Sequence, residues 1–240
     1  MELQPDGESF YLLGVSLLAA GDAESGESAL ESAIAVCPDH ADARVALAEQ
    51  ATARMELLQA AEQVAGALRS DPDHAPALRL RACLREWRGD YDAAARDFAA
   101  AALIEPDACP VPVPLDDDTV DEVVGDVLAS LPENLRDYLA NVPILVEDLP
   151  SPEVLADLPE AHPFELLGSF SGRSLAEGDS LAGAGAWESL PPTITVYRRN
   201  LQRFALGPTQ LREELRITLL HEIGHFLGLD EDELVERGLG

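Results

Sequence analysis

Three prolines thirty-four residues apart, Pro38, Pro72 and Pro106, constrain the fold of the first half of this chain more than any other feature. The residues before them recur in step: Ala33, Ala67 and Ala101; Leu30, Val64 and Phe98; Gly26, Ala60 and Ala94. Small residues at such steps let the two helices of one unit approach, and the proline stops the second helix. Pro-Asp-His-Ala stands at both junctions, 38–41 and 72–75. One unit cannot bury its apolar face alone, and about three stacked units are the minimum for a continuous core. Residues 8–106 are therefore expected to form three helical hairpins. His40 and His74 fall at the turns between units and read as exposed turn residues, not ligands.

The period resembles that of the tetratricopeptide repeat. Leu13-Gly14 and Leu47-Ala48 fill that repeat's Leu-Gly pair, and Gly21 and Gly89 fill its turn glycine. The pattern departs at Arg81, where unit three should have leucine, and at Met55, which replaces the turn glycine of unit two. The resemblance implies an α-helical solenoid whose groove binds a peptide or protein partner.

Residues 107–118, with alternating prolines and the acidic triplet Asp116-Asp117-Asp118, read as an extended, semi-rigid linker. Residues 119–240 make the second domain. Thr119 and Glu122 read as a capping box that opens a helix running to about Ser130. A short helix is expected over 131–138. Val142–Val146 and Thr193–Tyr197 read as strands, either of which can be the exposed one that takes a substrate. Gly172–Ser189, with four glycines, reads as a mobile loop.

Near the other end, the run Leu211–Leu227 repeats apolar residues at three- and four-residue steps, as in a helix with one buried side. It contains His221-Glu222-Ile223-Gly224-His225. Histidines four apart lie one turn apart on the same side and can grip one zinc ion through imidazole nitrogen. Glu222 sits about 100° further round, where it can act as general base without occupying the metal. A catalytic zinc usually has a third protein ligand. Gly228 can reverse the chain in the left-handed conformation and bring the next carboxylates back over the histidines. Glu231 ranks first as that ligand, because the pattern H-E-x-x-H-x-x-G-x-x-H puts its third donor there; Asp232 and Asp230 follow. His162, from an upstream loop, is a further possibility.

Together with Pro192–Leu201, Asn141–Asp148 and Leu166–Gly172, this helix resembles the small bacterial zincin-like metallopeptidases of minimal size, over roughly residues 118–237. The resemblance implies a compact α/β (α+β) zincin core, with His221, Glu222 and His225 at the motif positions and Zn²⁺ as cofactor. No methionine follows the motif, so the methionine turn of the metzincins is missing.

Charge narrows the partners. Forty-five acids against sixteen bases give a formal net charge of −29, and every base is arginine. Such a surface repels phosphate backbones and anionic lipid, so nucleic acid and membrane are not expected partners, and basic ones are favoured. Arg198, Arg199, Arg203, Arg212 and Arg216 are expected to pair with nearby acids such as Glu213 and Glu214 before a substrate carboxylate. Three widely spaced cysteines, Cys37, Cys83 and Cys109, and no basic segment before the apolar stretch Phe10–Ala20, point to a reducing, cytoplasmic location. The functional expectation is a zinc peptidase whose repeats recruit a protein partner or substrate. The alternative is a repeat adaptor whose metal site is structural or vestigial.

Overall fold

The computed structural model describes residues 6–176 and 191–239, so the glycine-rich stretch expected to be mobile lies, beyond Ala176, outside the described residues. The chain divides into two compact units, Met1–Val111 and Pro112–Gly240.

The first unit is three antiparallel helix pairs: α1 (Gly7–Ala19) with α2 (Ala23–Val36), α3 (Ala41–Ala53) with α4 (Leu57–Ser70), and α5 (Ala75–Trp87) with α6 (Tyr91–Ile104). First helices begin at 7, 41 and 75 and second helices at 23, 57 and 91, so the sequence period is kept without slippage. The recurring alanines Ala33, Ala67 and Ala101 are fully buried, beside Leu30, Val64 and Phe98. The turns inside the hairpins also repeat. Gly21, Met55 and Gly89 all have positive φ, at 83°, 59° and 77°.

His40 and His74 correct the expectation of exposed turn residues. Each is the N-cap of the helix that opens its unit: Nδ1 of His40 accepts from the Ala43 N–H at 3.3 Å and Nδ1 of His74 from that of Ala77 at 3.2 Å. Their Nε2 atoms meet Glu8 and Asp42, again thirty-four residues apart, and both rings are about nine-tenths covered. The imidazole does here what an aspartate cap does at Asp6, satisfying a helix-end donor.

Arg81, the departure from the repeated leucine, is accommodated by a matching acid. Asp97 on α6 is 5% exposed and accepts from Nε and Nη2 of Arg81 at 2.7 and 2.8 Å. Nη1 of Arg85 donates to it at 2.6 Å.

The second unit opens with an extended segment whose later part is fastened down. Val113 donates its N–H to the Gln202 carbonyl at 2.8 Å, and Val113 and Leu115 belong to the core. The helix α7 then spans Asp117–Ser130. Its cap is Asp116, whose carboxylate accepts from the Thr119 N–H at 2.8 Å, so the proposed Thr119 cap is corrected by three residues: Asp116 comes first and accepts more strongly. After α8 (Glu133–Leu139) come β1 (Ile144–Glu147), α9 (Pro152–Asp157), β2 (Gly168–Ser171), β3 (Thr193–Tyr197), α10 (Arg198–Phe204), α11 (Pro208–Leu227) and α12 (Glu231–Glu236).

The described strands form one sheet in the order β1-β3-β2, with β1 parallel and β2 antiparallel to β3. Thr193–Tyr197 is therefore central and cannot be the exposed strand. Ile194 and Val196, fully buried, pack with Leu211, Leu215, Leu219, Ile223 and Phe226 of α11 in the main core. This is the apolar side read from the sequence, and it presses the helix against the sheet.

All five arginines singled out there are engaged. Arg198 meets Asp117, Arg199 meets Asp148, Arg212 meets Glu122 and Arg216 meets Glu213. Arg203 binds the Asn200 side chain and the Phe164 carbonyl, with its guanidinium over the Phe164 ring. Among the described residues, no helix is long and apolar enough to cross a membrane.

Candidate metal centre

α11 ends at Gly228, whose φ of +92° is the left-handed region that only glycine adopts without strain. The Gly228 and Leu229 N–H groups close back on His225 and Gly224 carbonyls at 2.9 and 3.0 Å. Asp230 then caps α12 in a reciprocal capping box with Glu233. α12 lies against α11 because Gly224 has no side chain: a Cβ there would stand 2.3 Å from Cδ2 of the fully buried Leu234. The result is that Glu231 returns over the two histidines.

Donor atoms of His221, His225 and Glu231 all lie within 4.8 Å of one another. Nε2 of His225 is 3.2 Å and Nε2 of His221 3.8 Å from Glu231 Oε1. Each ring is oriented by a main-chain carbonyl behind it: Nδ1 of His221 donates to the Leu239 carbonyl at 2.6 Å, and Nδ1 of His225 to that of Leu229 at 3.2 Å. A carbonyl accepts only, so in the neutral rings the protons are on Nδ1 and both Nε2 atoms carry lone pairs. The two Nε2 atoms stand 2.9 Å apart, with the ring planes at 81°. Two acceptors at that distance repel unless a cation lies between them. Two imidazoles held through Nδ1 and one carboxylate are the donor set and outer support that zinc takes when one position stays open.

The other expected ligands are used elsewhere. Asp230 is occupied as the α12 cap, Asp232 is exposed, and neither joins the cluster. His162 is also outside it; its Nδ1 accepts from the Phe164 N–H at 3.2 Å, and burial lowers its pKa.

Glu222 is 6% exposed and stands between α11 and β2. Burial first, then the Glu231 charge, push its pKa up to about 8, against an opposing hydrogen bond from the Phe170 N–H. β2 can approach this closely because of Gly168, where a Cβ would lie 2.6 Å from Thr218 Cγ2 and 3.1 Å from Glu222 Oε1. β2 runs antiparallel to β3 from Gly168 opposite Val196 to Ser171 opposite Thr193, and the Leu167 carbonyl accepts from the Tyr197 N–H at 2.8 Å, so the ladder bonds fall on Leu167, Ser169 and Ser171, and Gly168 and Phe170 turn their main-chain groups toward the other edge of β2.

That edge, the histidines, Glu222 and Glu231 line a cleft of about 740 Å³, with Asp157 and Glu160 farther along and no arginine among the described residues of its lining. Leu229, Leu239, Phe170 and Gly168 act through backbone or through a missing side chain, so no residue-type pattern announces them. The Leu166–Gly172 segment was legible only through family resemblance.

Residues 139–239 match the family described as zincin-like metallopeptidase. No curated protein matches the chain. Among solved structures it is similar to YrrB, a tetratricopeptide repeat protein with an unusual peptide-binding site, at 23% identity and a TM-score of 0.37, covering 44% of this chain and 54% of that one. It is similar to the second tetratricopeptide domain of Spaghetti bound to an HSP90 peptide, at 21% identity and 0.39, covering 42% and 87%. It is also similar to Pseudomonas aeruginosa pilF, at 18% and 0.42, covering 98% and 97%. This chain thus spans about half the length of YrrB. The repeat architecture rests on the helix spacing itself, and the region that matches the zincin-like metallopeptidase family, residues 139–239, follows three helical hairpins of thirty-four-residue period.

Proposed function

We propose that the C-terminal unit is a zinc-dependent peptidase and that the repeats recruit its protein partner or substrate. The observation that carries the catalytic half is the approach of the two Nε2 atoms to 2.9 Å, with a Glu231 oxygen 3.2 Å from that of His225. His221, His225 and Glu231 would hold the ion. Zinc, when bound, supplies a Lewis acid that polarises a carbonyl and lowers the pKa of water from about 15.7 to about 7.

An extended peptide lies along the edge of β2 that no described strand covers, meeting the outward main-chain groups of Gly168 and the Phe170 carbonyl, since the Phe170 N–H is held by Glu222. A cation held by the histidines would offset the burial that raises the Glu222 pKa to about 8, and the ionised carboxylate then takes a proton from the attacking water and returns it to the departing amine. Its near-complete burial keeps bulk water from competing for that proton. Asp157 and Glu160, with no arginine in the lining among the described residues, favour substrates with basic side chains. Cys37, Cys83 and Cys109 form no disulfide, in keeping with a reducing, cytoplasmic compartment.

The test is zinc content together with digestion of a broad peptide library. Wild type is expected to bind one zinc and cut peptides with basic residues, and Glu222→Gln to keep zinc and lose cutting by at least about a hundredfold. Wild type that holds zinc and cuts nothing would return the site to a structural role in an adaptor.

A further inference from the structure

In the first unit, a cleft of about 410 Å³ between α4 and α5 carries Arg69, Arg81, Arg85 and Arg88 over an apolar lining that includes Val64, Leu68 and Leu84. Four of the chain's sixteen bases meet there, in a molecule of formal charge −29. Asp97 is shared by Arg81 and Arg85, and its side chain is 7% exposed. One carboxylate against four guanidinium groups leaves a local excess of three positive charges. Arg69 and Arg88 are exposed, and neither has an ion-pair partner among the described residues.

The repeat pattern sharpens the point. Leu13 and Leu47 occupy the place that Arg81 holds in unit three, so this unit alone exchanges an apolar contact for a charge fixed by a matching acid. Asp97 holds two guanidinium groups in place in advance, which lowers the ordering cost for an incoming carboxylate. Guanidinium binds carboxylate through paired hydrogen bonds, and the apolar lining suits side chains between the acidic ones.

We infer that the α4–α5 cleft binds an acidic peptide segment in which glutamate or aspartate side chains alternate with apolar ones. The net charge predicts basic partners for the molecule as a whole; this cleft has the opposite local field. A nucleic acid, with a charge on every residue of its backbone, would meet the repelling acidic surface around the cleft. A short peptide fits within it. The inference refines the partner half of the proposed function and does not depend on zinc.

The experiment is fluorescence anisotropy on the full chain in EDTA, so that cleavage does not intrude. The probe is a labelled peptide of alternating glutamate and leucine, compared with versions carrying glutamine or lysine for glutamate. The glutamate peptide is expected to bind, more weakly as salt rises, and the other two to bind at least tenfold more weakly on the order expected for charge-assisted pairs. Arg69→Glu/Arg88→Glu, two exposed positions, should weaken binding at least about tenfold with helical circular dichroism unchanged, and Arg69→Gln/Arg88→Gln should move it the same way. Absence of binding, equal binding of the glutamine peptide, unchanged affinity in the folded double variants, or equal competition by a single-stranded oligonucleotide would overturn it.

Discussion

Met55 shows how much of a residue's cost comes from backbone alone. Its φ of 59° is the left-handed conformation that Gly21 and Gly89 take in the sister turns. A side chain there costs about 1 kcal/mol or more. Met55→Gly should therefore raise the stability of the repeat unit by about 1 kcal/mol, read as a higher denaturant midpoint with an unchanged slope. Tyr197 makes a different point. It is fully buried, its hydroxyl is 2.7 Å from Ser169 Oγ, and burial pushes its pKa up to about 12. Folded tyrosine then keeps its proton where the unfolded chain has lost it. Stability is intact below pH 10 and falls as pH rises from about 10 to about 12, by roughly 1.4 kcal/mol per pH unit. Tyr197→Phe should remove that alkaline slope at a cost of about 1 kcal/mol at neutral pH, since Ser169 loses its partner. A slope unchanged in urea titrations across this window would refute the assignment. With no lysine in the chain, few other groups titrate there.

The α11 and α12 pair decides where the third donor goes. Leu234 occupies the space a side chain at Gly224 would need, at 2.3 Å from the ideal Cβ. Gly224→Val should push α12 away, cost about 1–3 kcal/mol, and lower zinc affinity at least about tenfold while both histidines remain in place. Leu234→Ala added to it should restore much of that affinity, measured by competition with a zinc indicator. Equal affinity in Gly224→Val and wild type would mean that Glu231 is not a ligand. At this scale the sequence was a good guide to the helices. The thirty-four-residue period, the apolar steps of α11 and the left-handed glycine after it are local properties, and local patterns survive folding. The strands were harder. Four- and five-residue strands carry little periodicity, and which one lies at an edge depends on partners far away in the chain.

At the scale of the molecule, two compact units imply two stability transitions. A calorimetric scan of the full chain should resolve both, and zinc at about a hundred times its Kd should add about 2.7 kcal/mol to one and leave the other unmoved. A single transition shifted as a whole by zinc would contradict that division. Residue identity alone determined the helical hairpins, the acidic surface and the pairing of His221, Glu222 and His225 on one helix, because each depends on spacing along a continuous chain. Only the tertiary structure decided that Glu231 and not Asp230 or His162 meets those histidines, that β2 is the strand at the cleft, that His40 and His74 cap helices, and that four arginines converge between α4 and α5. Those outcomes depend on groups brought together across tens of residues, often through backbone carbonyls and amides that every residue carries alike, and a pattern of side chains along one chain does not specify them.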